Sequence, residues 1–175
     1  GAVDPRAWYM LRENTNGTIR GIKLNKGASG LATNDQPQSF WGQPFGIATA
    51  PVSDATCRYI FKNGSPFPII TASENKFMLA EAYLRKGDAN AALAAYTEGI
   101  SLNFDLLTNE YAAAVPANRL ITPAMKTAYL TNPVVVPPAN NLSLSHIMLQ
   151  KYVALYGFGM METDRKSTRL NSSHS

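Results

Sequence analysis

Gly87-Asp88 is the feature that most restricts this chain, because it joins two helix-forming stretches with almost no loop between them. The first stretch starts at Thr71, an N-cap residue with Glu74 three positions later. This is the pattern of a capping box, in which the hydroxyl and the carboxylate each satisfy a backbone N–H of the first turn. A helix is therefore predicted from Ala72 to about Lys86. Gly87 ends it in the left-handed conformation, and Asp88 caps a second helix that runs to about Asn103. So short a connection leaves the two helices only one arrangement, an antiparallel hairpin.

The facing residues fit that hairpin. Leu79, Ala80 and Tyr83 on the first helix and Ala92, Tyr96 and Gly99 on the second alternate small and aromatic side chains, the spacing of a tetratricopeptide-type pair. Lys76 stands where such a pair usually has Trp, and Phe104 where it usually has Pro. One pair cannot bury its faces alone, so further helices must stack on it. Asp105 is expected to cap a helix from Leu106 to about Ala114, ended by Val115-Pro116. Thr122-Pro123 starts another to about Leu130, Pro at the first helical position being preorganised for it. Asn132 to Asn141, with Pro133, Pro137 and Pro138, reads as an extended link. Ser143 or Ser145 caps a last helix through Tyr156, whose Ile147, Met148, Lys151, Tyr152 and Leu155 are expected to give a buried face with the one Lys exposed.

Residues 1–70 differ in composition and hold most of the Gly and Pro. Arg6 to Glu13 has helical period, Asn16-Gly17 is a turn signal, and Thr18 to Leu24 alternates well enough for a short strand. The fold class expected is mostly α: a tetratricopeptide-like hairpin with further helices over 71–163, preceded by a loop-rich, ligand-side region with short strands over 1–70. Together they form a single partial domain, 1–163. Asp164 to Ser175 resembles the translation of a sequencing adapter and is expected to be a non-native, disordered tail.

Charge and composition exclude several functions. Arg165, Lys166 and Arg169 against Asp164 account for half of the formal charge of +4, and the remaining basic residues are scattered with no cluster that could line up against a phosphate backbone. No nucleic-acid partner is expected. No run of 18 or more apolar residues marks a membrane span. Cys57, the only cysteine, cannot form an intrachain disulfide and reads as a small buried residue. No catalytic constellation is evident, so an enzyme is not expected, and neither is a metal or cofactor. His146, the only histidine outside the tail, lies in a first helical turn and suits a capping or surface role. The Gly-rich Lys26 to Gly30 lacks the ending of a phosphate loop. Asn16-Gly17-Thr18, Asn63-Gly64-Ser65 and Asn141-Leu142-Ser143 fit the glycosylation acceptor pattern, which in a bacterial protein marks only exposed turns.

One loop offers the chemistry of a sugar site. Phe40, Trp41 and Phe45 supply flat faces for stacking on a sugar ring, and Asn34 and Gln38 supply amides for its hydroxyls. The same aromatics could instead pin a long loop onto the core. Trp8 and Tyr9, in a helical stretch, suit core packing.

Several segments in order carry a family resemblance: Asp4-Pro5-Arg6, Ile19-Arg20-Gly21-Ile22, the hairpin with Phe77 to Asp88 and Asn103-Phe104-Asp105, and Leu144 to Leu155 with its Gln150-Lys151-Tyr152. Together they resemble the C-terminal part of the SusD/RagB family of outer-membrane nutrient-binding lipoproteins. The resemblance implies a cell-surface lipoprotein of the outer membrane that captures an oligosaccharide or peptide. The ligand then passes to a SusC-like TonB-dependent transporter. It implies no catalysis and no cofactor, with membrane attachment only through a lipidated N-terminal cysteine, which Cys57 is not. A tetratricopeptide-like protein-interaction scaffold is the alternative that the hairpin alone permits.

Overall fold

The structure is a computed structural model describing residues 3–23, 27, 30–38 and 54–159. Among these residues it is mostly helical and holds no strand. The chain separates into two compact units, Gly1–Phe67 with Leu107–Ile121, and Pro68–Leu106 with Thr122–Ser175.

The second unit is built on the hairpin. α2 (Ala72–Lys86) begins at Thr71, whose side chain accepts from the Glu74 N–H at 3.1 Å; of the expected capping box, this arm is the one the structure shows. It ends at Gly87 with φ of 84°, where the Gly87 N–H reaches the Leu84 carbonyl and the Asp88 N–H the Tyr83 carbonyl. Those two bonds close a Schellman motif, satisfying carbonyls that a helix end leaves open. Asp88 then caps α3 (Ala89–Glu110) through the Ala91 N–H at 3.0 Å.

Packing between α2 and α3 centres on Phe77. Its ring lies against Gly99, where an added Cβ would stand 3.0 Å from the ring, and meets Tyr96 edge-on with centroids 6.2 Å apart. The Ser73 hydroxyl donates to the Gly99 carbonyl at 2.7 Å, so small side chains on both helices let the backbones approach. Ala80, Ala92 and Tyr96 are buried as expected, but Leu79 is exposed and Tyr83 half-buried. Phe77 takes the central place because it lies one turn from both Ser73 and Ala80 on the same helical face.

α3 does not stop near Asn103. It continues to Glu110, and the separate helix expected from Leu106 is its last turn, followed by a 3₁₀ turn at Ala112–Ala114. Nothing between Asn103 and Glu110 breaks a helix, and Phe104 and Leu107 are fully buried one turn apart. Asp105, read as a cap, is instead paired with Lys126 at 2.6 Å on α4 (Pro123–Leu130). Phe104 also meets Tyr129 of α4, with ring centroids 5.1 Å apart. Thr122 caps α4 as predicted, accepting from the Met125 N–H at 3.2 Å.

The link after α4 is not extended as expected: the Asn132 carbonyl accepts from the Val135 and Val136 N–H groups at 2.9 and 2.8 Å, closing a turn, and Ala139–Asn141 is a 3₁₀ turn, while the Tyr96 hydroxyl donates to the Val135 carbonyl at 2.7 Å. α5 (Leu144–Ala154) follows and packs on α2. Ser143 is its cap, and its N–H donates to His146 Nδ1 at 3.2 Å, which gives His146 the capping role. The buried face is Ile147, Met148, Gln150, Lys151 and Ala154, and Tyr152 is exposed. Of the expected face Ile147, Met148 and Leu155 are buried and Tyr152 is not; Gln150 joins it, and Lys151, expected at the surface, is buried. The Gln150 amide donates to the Tyr129 hydroxyl at 3.2 Å, which offsets its desolvation.

The first unit has little regular structure. α1 (Ala7–Met10) is one turn, shorter than the helical stretch expected to Glu13, because Leu11 turns extended. Trp8 and Tyr9 are buried, as the core reading held, with Arg119 4.0 Å over the Trp8 ring and the Ile121 N–H on the Tyr9 hydroxyl at 3.0 Å. Asn14 organises the following turn. Its Oδ1 accepts from the Asn16 and Thr18 N–H groups and the Thr18 hydroxyl, and Gly17 takes φ of 71°. The expected strand from Thr18 is absent over its described residues, 18–23. Alternation alone gave it a polar and an apolar side, but a strand needs a neighbour to receive its N–H and C=O groups.

Candidate functional site

Arg58 shapes the loop-rich unit. It is buried, and its guanidinium donates to the carbonyls of Ala114, Trp8 and Leu11 at 3.1, 3.2 and 3.1 Å. Its Nη2 pairs with Glu13 at 2.8 Å. Cys57 beside it is buried and forms no disulfide, the small-residue role expected of it. The next residue, Tyr59, has φ of 57°, a conformation that costs a bulky residue about 1–2 kcal/mol. Its ring is held edge-on against Tyr111 with centroids 4.6 Å apart, so packing offsets the local strain.

These elements enclose a cavity of about 210 Å³. Met10, Leu11, Ile19 and Phe61 give it apolar walls. Its polar lining is Arg12, Arg20, Arg58 and Gln38, and among the described residues no carboxylate joins them. Arg20 pairs with Asp35 at 2.8 Å and is half exposed. Arg12 Nη1 is buried without a hydrogen-bond partner. Burial, and secondarily the charge of Arg58, holds the Arg12 guanidinium below its ordinary pKa range, with Glu13 opposing the shift. A second cavity, of about 180 Å³, lies by Tyr59, Lys62 and Tyr111. The Tyr111 hydroxyl is already committed to the Pro66 carbonyl at 2.8 Å.

Of the residues singled out from sequence, Gln38 lines the larger cavity. Asn34 does not. It lies exposed in the 3₁₀ turn Thr33–Asp35, and its carbonyl accepts from the Asn16 N–H at 3.4 Å. Phe40, Trp41 and Phe45 lie outside the described residues, shortly after Gln38 in sequence. Arg12, Arg20, Arg58 and Phe61 carried no local signal, since each is an isolated residue brought in by the course of the chain. Among the described residues no group of His, Cys, Asp and Glu could hold a metal ion, and no helix is long and apolar enough to cross a membrane.

A cavity carried on loops is a layout suited to binding. A SusD-like family model, described as starch-binding and associating with the outer membrane, matches residues 4–162, and the chain belongs to this family. No curated protein and no solved structure matches the chain.

Proposed function

We propose that this protein is a nutrient-binding lipoprotein of the outer membrane that takes an oligosaccharide and delivers it to a SusC-like TonB-dependent transporter. The observation that carries the reading is the cavity in the loop-rich unit, lined by Gln38, which shortly precedes Phe40, Trp41 and Phe45 in sequence, in a chain whose family is described as starch-binding. Apolar walls for the ring faces and amide and guanidinium donors for hydroxyls are the two kinds of contact that a sugar needs. Phe40, Trp41 and Phe45, with Asn34 and Gln38, are the ligand residues of this proposal, and the protein's work is capture and release without chemistry.

The test is calorimetric titration of malto-oligosaccharides into the full chain and into Trp41→Ala. Loss of one stacking face should weaken binding by about tenfold while the thermal melt stays in place. Unchanged affinity in the variant would remove the aromatic loop from the site.

A further inference from the structure

The charge of the cavity exceeds what a neutral sugar requires. Three of its lining residues are arginines, and among the described residues none is acidic. Arg58 is engaged by Glu13 and Arg20 by Asp35. Arg12 has no such carboxylate, and its Nη1 is buried without an acceptor. A lining arginine with no ion-pair partner among the described residues is what a ligand carboxylate satisfies, through a charge-assisted hydrogen bond.

We propose that the cavity is a subsite for a carboxylate-bearing sugar, a uronate unit of an oligosaccharide, in which Arg12 takes the carboxylate, Arg20 adds its positive charge to the attraction and Gln38 serves the hydroxyls. This rests on the glycan-binding reading above and narrows its substrate class from neutral to acidic glycans. At about 210 Å³ the cavity is smaller than the roughly 300–1,000 Å³ of sites that enclose larger ligands, so it accommodates a single sugar unit. Met10, Ile19 and Phe61 offer the apolar surface on which the C–H face of that unit would rest. A peptide's C-terminal carboxylate presents the same anionic group, and the experiment separates the two sources.

Four ligands are titrated into the full chain by calorimetry: tetragalacturonate, its carboxyl-reduced neutral counterpart, a malto-oligosaccharide and an unblocked tetrapeptide. The acidic tetrasaccharide should bind about tenfold more tightly than its reduced form. That preference should fall close to parity in Arg12→Gln, survive in Arg12→Lys and shrink with added salt. Arg20→Gln alters a half-exposed side chain and should lower the preference by about threefold, so it carries the decision if Arg12→Gln does not fold. Equal binding of the acidic and reduced sugars, or a preference that persists in both Gln variants, overturns the proposal. Binding of neutral sugars without acidic preference ends this proposal and leaves the glycan reading standing. Binding of the peptide and of no sugar overturns both.

Discussion

The two units are held by different means. In the hairpin unit the starts of α2, α3 and α4 are closed by a residue within one turn: Thr71 on the Glu74 N–H, Asp88 on the Ala91 N–H and Thr122 on the Met125 N–H. Between those ends lies an apolar interior that includes Phe77, Ile100, Phe104 and Ile147, all fully buried. In the loop-rich unit one side chain does comparable work at long range. Arg58 bonds carbonyls 47, 50 and 56 positions away in sequence and a carboxylate 45 away. A region stabilised by many small local terms tolerates losing one of them; a region organised around one buried cation does not.

The largest effect should therefore come from Arg58→Met. Three carbonyls and the Glu13 carboxylate lose their donor, and unpaired buried acceptors together should cost about 3 kcal/mol, read as a shift of the urea midpoint. A loss below about 1 kcal/mol would show that other contacts order the loops.

Gly99→Leu probes the closest approach in the hairpin. Leu is a good helix former, so propensity favours the change, while the new side chain must displace the Phe77 ring 3.0 Å from its Cβ. Overpacking of this kind should cost about 1–3 kcal/mol in the same urea measurement. A neutral result would mean that α2 and α3 separate more easily than their small-residue contact implies.

Gly87→Ala should cost less, about 1 kcal/mol, because only the left-handed φ of 84° is penalised and the position is open to added side-chain atoms. If this substitution proved as damaging as Arg58→Met, the contrast between distributed and concentrated stabilisation would fail.

The smallest effect concerns alkaline pH. Burial, with a lesser contribution from Tyr152, pushes the Tyr156 hydroxyl from its ordinary value of 10.0 up to about 12. The neutral phenol is thus favoured in the folded chain. Its contribution is fully present below about pH 10 and is lost as pH rises from there to about 12, because the unfolded chain ionises first. A urea midpoint that falls over that window in the parent and falls less in Tyr156→Phe is the expected outcome.

Much of the helical unit was readable because helix ends are local chemistry. Thr71, Gly87, Asp88, Pro123 and Ser143 act on backbone groups within a turn, so their types and spacing suffice. α3 was cut short because Asp105 looks like a cap wherever it stands; its pairing with Lys126 is a tertiary contact. Lys151 was left to solvent by its charge, yet α5 buries it. In the site, Gln38 stands out in the sequence by its amide, and it lines the cavity. Arg12, Arg20 and Arg58 passed as scattered charges, because nothing in their spacing tells that they converge.

The sequence by itself determined where the helices begin, where α2 must reverse and which family the chain resembles. The reason is that capping, backbone φ and helical period act over a few residues. Only the tertiary structure decided that α3 runs unbroken to Glu110, that Tyr59 holds a left-handed φ against Tyr111, and that three arginines line one cavity. Each of those depends on groups far apart in the chain, whose meeting is set by what else must be buried or hydrogen-bonded there.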